Sequence, residues 1–184
     1  MNNEDLLLAV KLVEEFSTAL NSTSWVWGGM SMDIYQSHIL REHDDLDYLT
    51  LNLHELVDPM TSLFHNAGWH SRKLENGDIK LEKNGSKIQL GHVEVLKEVR
   101  WTHNGEIGSL FFPAEWLDKC PKRFCNIGVH VVAPELQYAL LDHPELLNRD
   151  WKPREKDITA KAFLRQILES SGIILGDLHP KIHT

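Results

Sequence analysis

The sequence predicts an α/β (α+β) domain: a mixed β-sheet flanked by helices, with a small, mainly helical C-terminal part. Three observations predict it. Apolar residues switch repeatedly between helical and alternating spacing along the chain. Asn-Gly pairs separate the alternating runs in the middle, as hairpin turns do. The last third returns to helical spacing after Pro134. A length of 184 residues fits one compact unit with a helical appendage. The boundary expected from these shifts sets a core at 1–112 against a smaller region at 113–184 packed on it.

Taken in order, residues 4–20 carry Leu7, Leu8, Val10, Leu12, Val13, Phe16 and Leu20 at helical spacing, so an amphipathic helix should end near Asn21-Ser22. Trp25-Val26-Trp27 is a short β-prone run that stops at Gly28-Gly29. Ser31 to Gln36 suits one or two helical turns. From Leu46 to Leu53 the chain alternates, with Leu49, Leu51 and Leu53 on one face and Tyr48, Thr50 and Asn52 on the other, which predicts a strand. Leu56, Met60, Leu63 and Phe64 mark a helix over 54–67. Asn76-Gly77 and Asn84-Gly85 then predict hairpins around Ile79 and Leu81 and around Ile88 and Leu90, with Val93 and Val95 extending the last strand. Asn104-Gly105 predicts a third turn. Pro113 opens a short helix to Leu117, and Val129 to Val132 forms a short strand. Two helices follow, one from Pro134 with Leu136, Ala139, Leu140 and Leu141, the other from Arg154 to Ser170 and stopped by Gly172.

A net charge of −8 argues against a sheath for a phosphate backbone, which needs a positive surface. It suits a divalent cation or a cationic small molecule better. Nucleic acid and membrane are therefore not expected partners, and no apolar run reaches spanning length. The N-terminal stretch carries acids where a signal peptide carries basic residues, so the cytoplasm is the expected location. Cys120 and Cys125 are read as reduced thiols, with no second pair at zinc spacing. The eleven histidines are scattered, without HxH or HExxH. Oligomeric state is not legible.

The chemistry concentrates in residues 25–49. Asp45 and Asp47 stand two apart on a predicted strand, so both carboxylates point to one face. Like charges so close repel, and a divalent cation relieves the repulsion. Gly28 and Gly29 end the preceding strand and admit a phosphate close to the backbone. The N–H groups of a helix starting near Ser31 would face that anion. A Gly-Gly pair alone is a turn, and a lone Asp-x-Asp is a solvated strand edge. Their combination predicts a nucleoside triphosphate site with Mg²⁺ on Asp45 and Asp47.

The segment resembles the small-molecule antibiotic nucleotidyltransferases, the lincosamide and aminoglycoside 2″-type adenylyltransferases. Their pattern of Gly-Gly, Asp and then Arg-x-His-x-Asp-x-Asp is met by Gly28, Gly29, Asp33, Arg41, His43, Asp45 and Asp47. Beyond residues 25–49 the similarity is one of element order, to about residue 165. The resemblance implies a DNA polymerase β-like nucleotidyltransferase fold, with Mg²⁺ on Asp45 and Asp47 and the triphosphate at Gly28-Gly29. It also implies transfer of a nucleoside monophosphate, AMP from ATP foremost, to a hydroxyl of an aminoglycoside- or lincosamide-like acceptor.

One position departs from the pattern. The family carries a third carboxylate on a later strand, and Gln89 stands in the matching stretch, residues 87–95. A neutral amide takes no proton. Glu94 is the nearest acid but has the opposite strand parity, so it reaches the site only if the strand is irregular near Gly91. His92 shares that parity and is the other candidate base; a plain surface role for Glu94 stays open. Lys156 or Arg154, at the start of the last helix, is expected to reach the triphosphate or to balance nearby acids. The alternative function is a nucleotide-binding or regulatory protein weakened in catalysis by Gln89.

Overall fold

In the computed structural model, residues 1–102, 109–147 and 150–183 are described. Helix α1 (Asn3–Ala19) is capped by Asn2, whose side chain accepts from the Asp5 amide, and buries Leu6, Ala9, Val10 and Val13. Strand β1 (Ser24–Trp27) leads into α2 (Gly29–Gln36), and β2 (Asp45–Leu51) returns antiparallel to β1. The chain leaves β2 through Asn52 at φ 50, which turns Leu53 out of the strand and into α3 (Leu53–Asn66). The expected strand therefore loses Asn52 and Leu53 to this turn.

Strands β3 (His70–Lys73), β4 (Ile79–Lys83) and β5 (Ser86–Val95) form a meander. Asn84 and Gly85, at φ 50 and 84, make the two-residue turn that their sequence predicts. β6 (Val99–Thr102) and β7 (Ser109–Phe112) continue the sheet; the expected Asn104-Gly105 turn lies outside the described residues. A one-turn helix spans Ala114–Trp116. Next come a small hairpin, β8 (Lys122–Phe124) with β9 (Ile127–Val129), then α4 (Pro134–Asp142), α5 (Glu155–Ser170) and β10 (Lys181–His183). Val131 and Val132, expected in a strand with Val129, instead meet β1: Val131 bridges Val26 in parallel, and Val132 N–H donates to Val26 at 3.0 Å.

The main sheet runs β1-β2-β5-β6-β7-β10, with β4 and β3 added beside the first half of β5. β2 and β5 are parallel, joined through α3; the other neighbours are antiparallel among the described residues. Alternation along β2 sends Leu46 and Tyr48 to one face, under α1 and α3, and Leu49 to the other, under α4 and α5. Both apolar clusters draw on residues from before and after residue 112. The first takes Phe124, Val129 and Val131 from beyond it, and the second joins Trp25 and Leu49 to Leu136 and Leu164.

Candidate active site

Asp45 and Asp47 lead β2 on the face that Leu49 shares, before α4 and α5 close over it. That uncovered end opens into a cavity of about 720 Å³. Asp45, Asp47, Gly28, Gly29 and Arg41 line one side of it; Arg154, Lys156 and Asp157, at the start of α5, line the other. Two parts of the sequence more than a hundred residues apart thus meet across one space.

Asp47 lies opposite Trp27 in the β1–β2 pairing, which brings it against the glycine turn. Gly28 has φ 70, and a Cβ there would stand 3.1 Å from Asp47 Oδ2. Both conformation and space require glycine. A Cβ on Gly29 would run into the Arg41 guanidinium, which lies over the turn, and would come 3.4 Å from His43 Nδ1. Gly28→Ala is expected to destabilise the fold by about 1–3 kcal/mol through the positive φ. Calorimetric unfolding checks this.

Burial pushes the Asp47 carboxyl up to about 7, the Asp45 charge pushes the same way, and Lys80 offsets part of it. Asp47 is only half-buried, so the group stays open to the cavity while sitting among protein atoms. Arg154 donates from Nε and Nη2 to the two Asp157 oxygens at 2.8 and 3.2 Å, and its own amide is capped by Asp157 at 3.0 Å. Burial would raise the Asp157 carboxyl, but these Arg154 contacts hold it below its ordinary value. The Asp157 hydrogen bond raises Arg154, and the Asp45 charge across the cavity adds to it.

Asp33 on α2 and His43 before β2 are both buried and meet at 2.8 Å between Oδ2 and Nε2. This clamp fixes the loop that delivers Asp45. Ser31 is fully buried, and its hydroxyl donates to the Gly28 carbonyl at 2.7 Å. It braces the turn from behind and does not face the cavity. The expected helix start at Ser31 moves back to Gly29. The Gly28 N–H is already taken by Gln137 Oε1 at 2.9 Å, from α4. Gln137 lines the cavity and ties the glycine turn to the helical cover. Sequence reading missed it, because on an amphipathic helix a lone glutamine carries no signal.

Gln89 stands beside Asp47 in the β2–β5 register and beside Lys80 in the β4–β5 register. The position expected to hold an acid is therefore next to the pair and carries an amide, which donates to Asp78 Oδ2 at 3.4 Å. The structure does not bring Glu94 to this place. Register runs unbroken through Gly91, from Lys87 to Val93, so parity is kept and Glu94 and His92 point to the opposite face. Gly91 serves another end: a Cβ there would press on Trp101 and the Tyr48 carbonyl. Glu94 instead meets His92 at 3.1 Å and Arg100 at 3.3 Å. His54, His92 and Glu94 form a separate polar cluster at α3 whose possible ligand atoms lie within 4.8 Å of one another.

No protein-family model matches the sequence, and no curated protein matches it significantly. Solved structures do resemble the fold. ANT(2″)-Ia in complex with adenylyl-2″-tobramycin superposes with a TM-score of 0.69 at 15% identity, over 96% of this chain and 95% of that one. The lincosamide antibiotic adenylyltransferase LnuA, lincomycin-bound, gives 0.66 at 15% identity over 91% and 98%. A putative nucleotidyltransferase from Thermotoga maritima gives 0.51 at 14% identity over 92% and 96%. At such identities the likeness speaks for architecture, and it extends over nearly the whole chain. The chain has a nucleotidyltransferase-type fold.

Proposed function

We propose that the chain transfers a nucleoside monophosphate, AMP from ATP foremost, to a hydroxyl of a small molecule, with Mg²⁺ on Asp45 and Asp47. The observation that carries this reading is the pair of same-face carboxylates set against the Gly28 turn at the head of a cavity with cations on its far wall. The donor set fits a hard divalent ion. Two carboxylates lie alternate on one strand, and one is pushed to about 7 by burial and by its neighbour. When bound, the ion neutralises triphosphate charge and favours departure of pyrophosphate.

The chain's own groups supply the rest. Gly28 and Gly29 let a phosphate approach the backbone, and Arg41 and Lys156 are the cations placed to meet it. Arg154 and Asp157 cap α5 and hold Lys156 at the cavity mouth. The Asp33–His43 clamp and Gln137 keep the turn and β2 in register. The residue beside Asp47 on β5 is Gln89, whose amide does not take an acceptor proton as a carboxylate there would. The location proposed is the cytoplasm, where ATP is abundant; no helix among the described residues is long and apolar enough to cross a membrane.

The test is pyrophosphate release from Mg·ATP with a panel of hydroxyl acceptors, together with mass spectrometry for the added nucleotide. Gln89 beside Asp47 also favours a second reading, a nucleotide-binding protein with weak transfer. Mg·ATP binding without pyrophosphate release from any acceptor selects that reading. Absence of Mg·ATP binding sinks both.

A further inference from the structure

The transferase reading leaves the acceptor open, and the overall charge of −8 points toward a polycation. The cavity points elsewhere. We propose that the acceptor is a hydroxyl-bearing molecule with an apolar body and at most a single positive charge; this rests on the transferase reading of the same site.

The carboxylates that line the cavity are mostly committed. Asp33 is buried against His43, Asp157 is held by both Arg154 nitrogens, and Asp45 and Asp47 are the metal pair. Among the described lining residues only Glu155 remains, exposed at the rim. The cations Arg41, Arg154 and Lys156 share the same space. A molecule with several ammonium groups would have to leave most of them unpaired, near like charges, as it gave up water.

The wall between α4 and α5 offers the opposite chemistry. Leu140, Leu141, Leu147, Trp151, Ala160 and Phe163 face the cavity, and Trp151 and Phe163 are half-buried. Such a wall gains by covering apolar surface. A nucleobase seated on part of it would add more apolar surface and no carboxylate. The net charge thus describes the outside of the molecule, not this recess.

The probes are lincomycin, an alkylproline amide of a thiosugar with a single amine, and tobramycin, which carries several ammonium groups. Binding is read by titration calorimetry at physiological salt, separately from pyrophosphate release. Lincomycin should bind, and kcat/KM for it should exceed that for tobramycin by at least about tenfold. Phe163→Asp should lower lincomycin affinity by about tenfold or more while Mg·ATP still binds. Trp151→Asp, on a different element, repeats the test should Phe163→Asp unfold. Glu155→Gln should change neither ligand's affinity. Tobramycin bound as tightly as lincomycin, a loss on Glu155→Gln, or binding of neither probe overturns the inference. Lincomycin bound with Mg·ATP but never adenylylated leaves the apolar assignment standing and sinks the transferase reading alone.

Discussion

Asp47→Asn should lower Mg²⁺-dependent pyrophosphate release by about a thousandfold, the equivalent of several kcal/mol of metal-assisted charge stabilisation. It should also make the metal-free protein more stable at pH 8. The second effect separates a buried carboxyl from a solvated strand edge. In the fold the Asp47 carboxyl titrates at about 7, raised by burial and then by Asp45, against an ordinary 3.8. The unfolded chain therefore releases this proton from about pH 4, while the fold keeps it until about pH 7. Stability falls as pH rises through that window and levels off above it. The difference in titration corresponds to an upper figure of roughly 4 kcal/mol. Asparagine carries no proton to lose, so the variant's advantage in Tm should be several degrees at pH 8 and should shrink toward pH 5. Mg²⁺ should raise the wild-type Tm at pH 8 and leave that of Asp47→Asn nearly unmoved. If the two Tm curves run parallel from pH 5 to 8, burial does not hold the Asp47 proton as described; an equal Mg²⁺ effect on both proteins is the result that overturns the metal assignment.

The legibility of this site follows the range of the forces that build it. Asp45 and Asp47 were readable because strand parity is local: two residues apart means one face. Gly28 was readable because a strand that ends in two glycines needs a backbone that other residues resist, and its φ of 70 bears this out. Parity also warned against Glu94, and only a bulge at Gly91 could have rescued it; the unbroken β2–β5 register removes that route. The helix expected to begin at Ser31 begins at Gly29, and the Ser31 hydroxyl turns back to the Gly28 carbonyl, a local bond that the sequence pattern does not encode. The far wall was not legible at all. Gln137 against Gly28, and Trp151 and Phe163 across from the carboxylates, depend on how α4 and α5 pack on the sheet. No periodicity in one segment encodes that. The Asn76-Gly77 signal does correspond to a turn, between the paired strands β3 and β4, whereas β10 was missed because three residues show no apolar alternation.

Gln89→Glu is the variant expected to gain. Gln89 sits between Asp47 on β2 and Lys80 on β4, at the position where the resemblance implies a third carboxylate. Glutamate has the same shape and adds the one property the amide lacks, a site for the acceptor's proton. Positioned bases contribute about a hundredfold or more, so kcat for adenylyl transfer should rise by about that factor. The gain has a visible cost. The new carboxylate faces Asp78, to which the Gln89 amide now donates at 3.4 Å, and adds a third negative charge beside Asp45 and Asp47. The metal-free variant should therefore melt below wild type at pH 8, and Mg²⁺ should recover more of its Tm than it does for wild type. Glu94→Gln, on the opposite face and tied to His92 and Arg100, should leave kcat unchanged. The opposite pattern, no gain from Gln89→Glu and a collapse of transfer in Glu94→Gln, would mean that β5 does not keep the register described above during the reaction. The base would then have to reach the acceptor from the face that α3 covers.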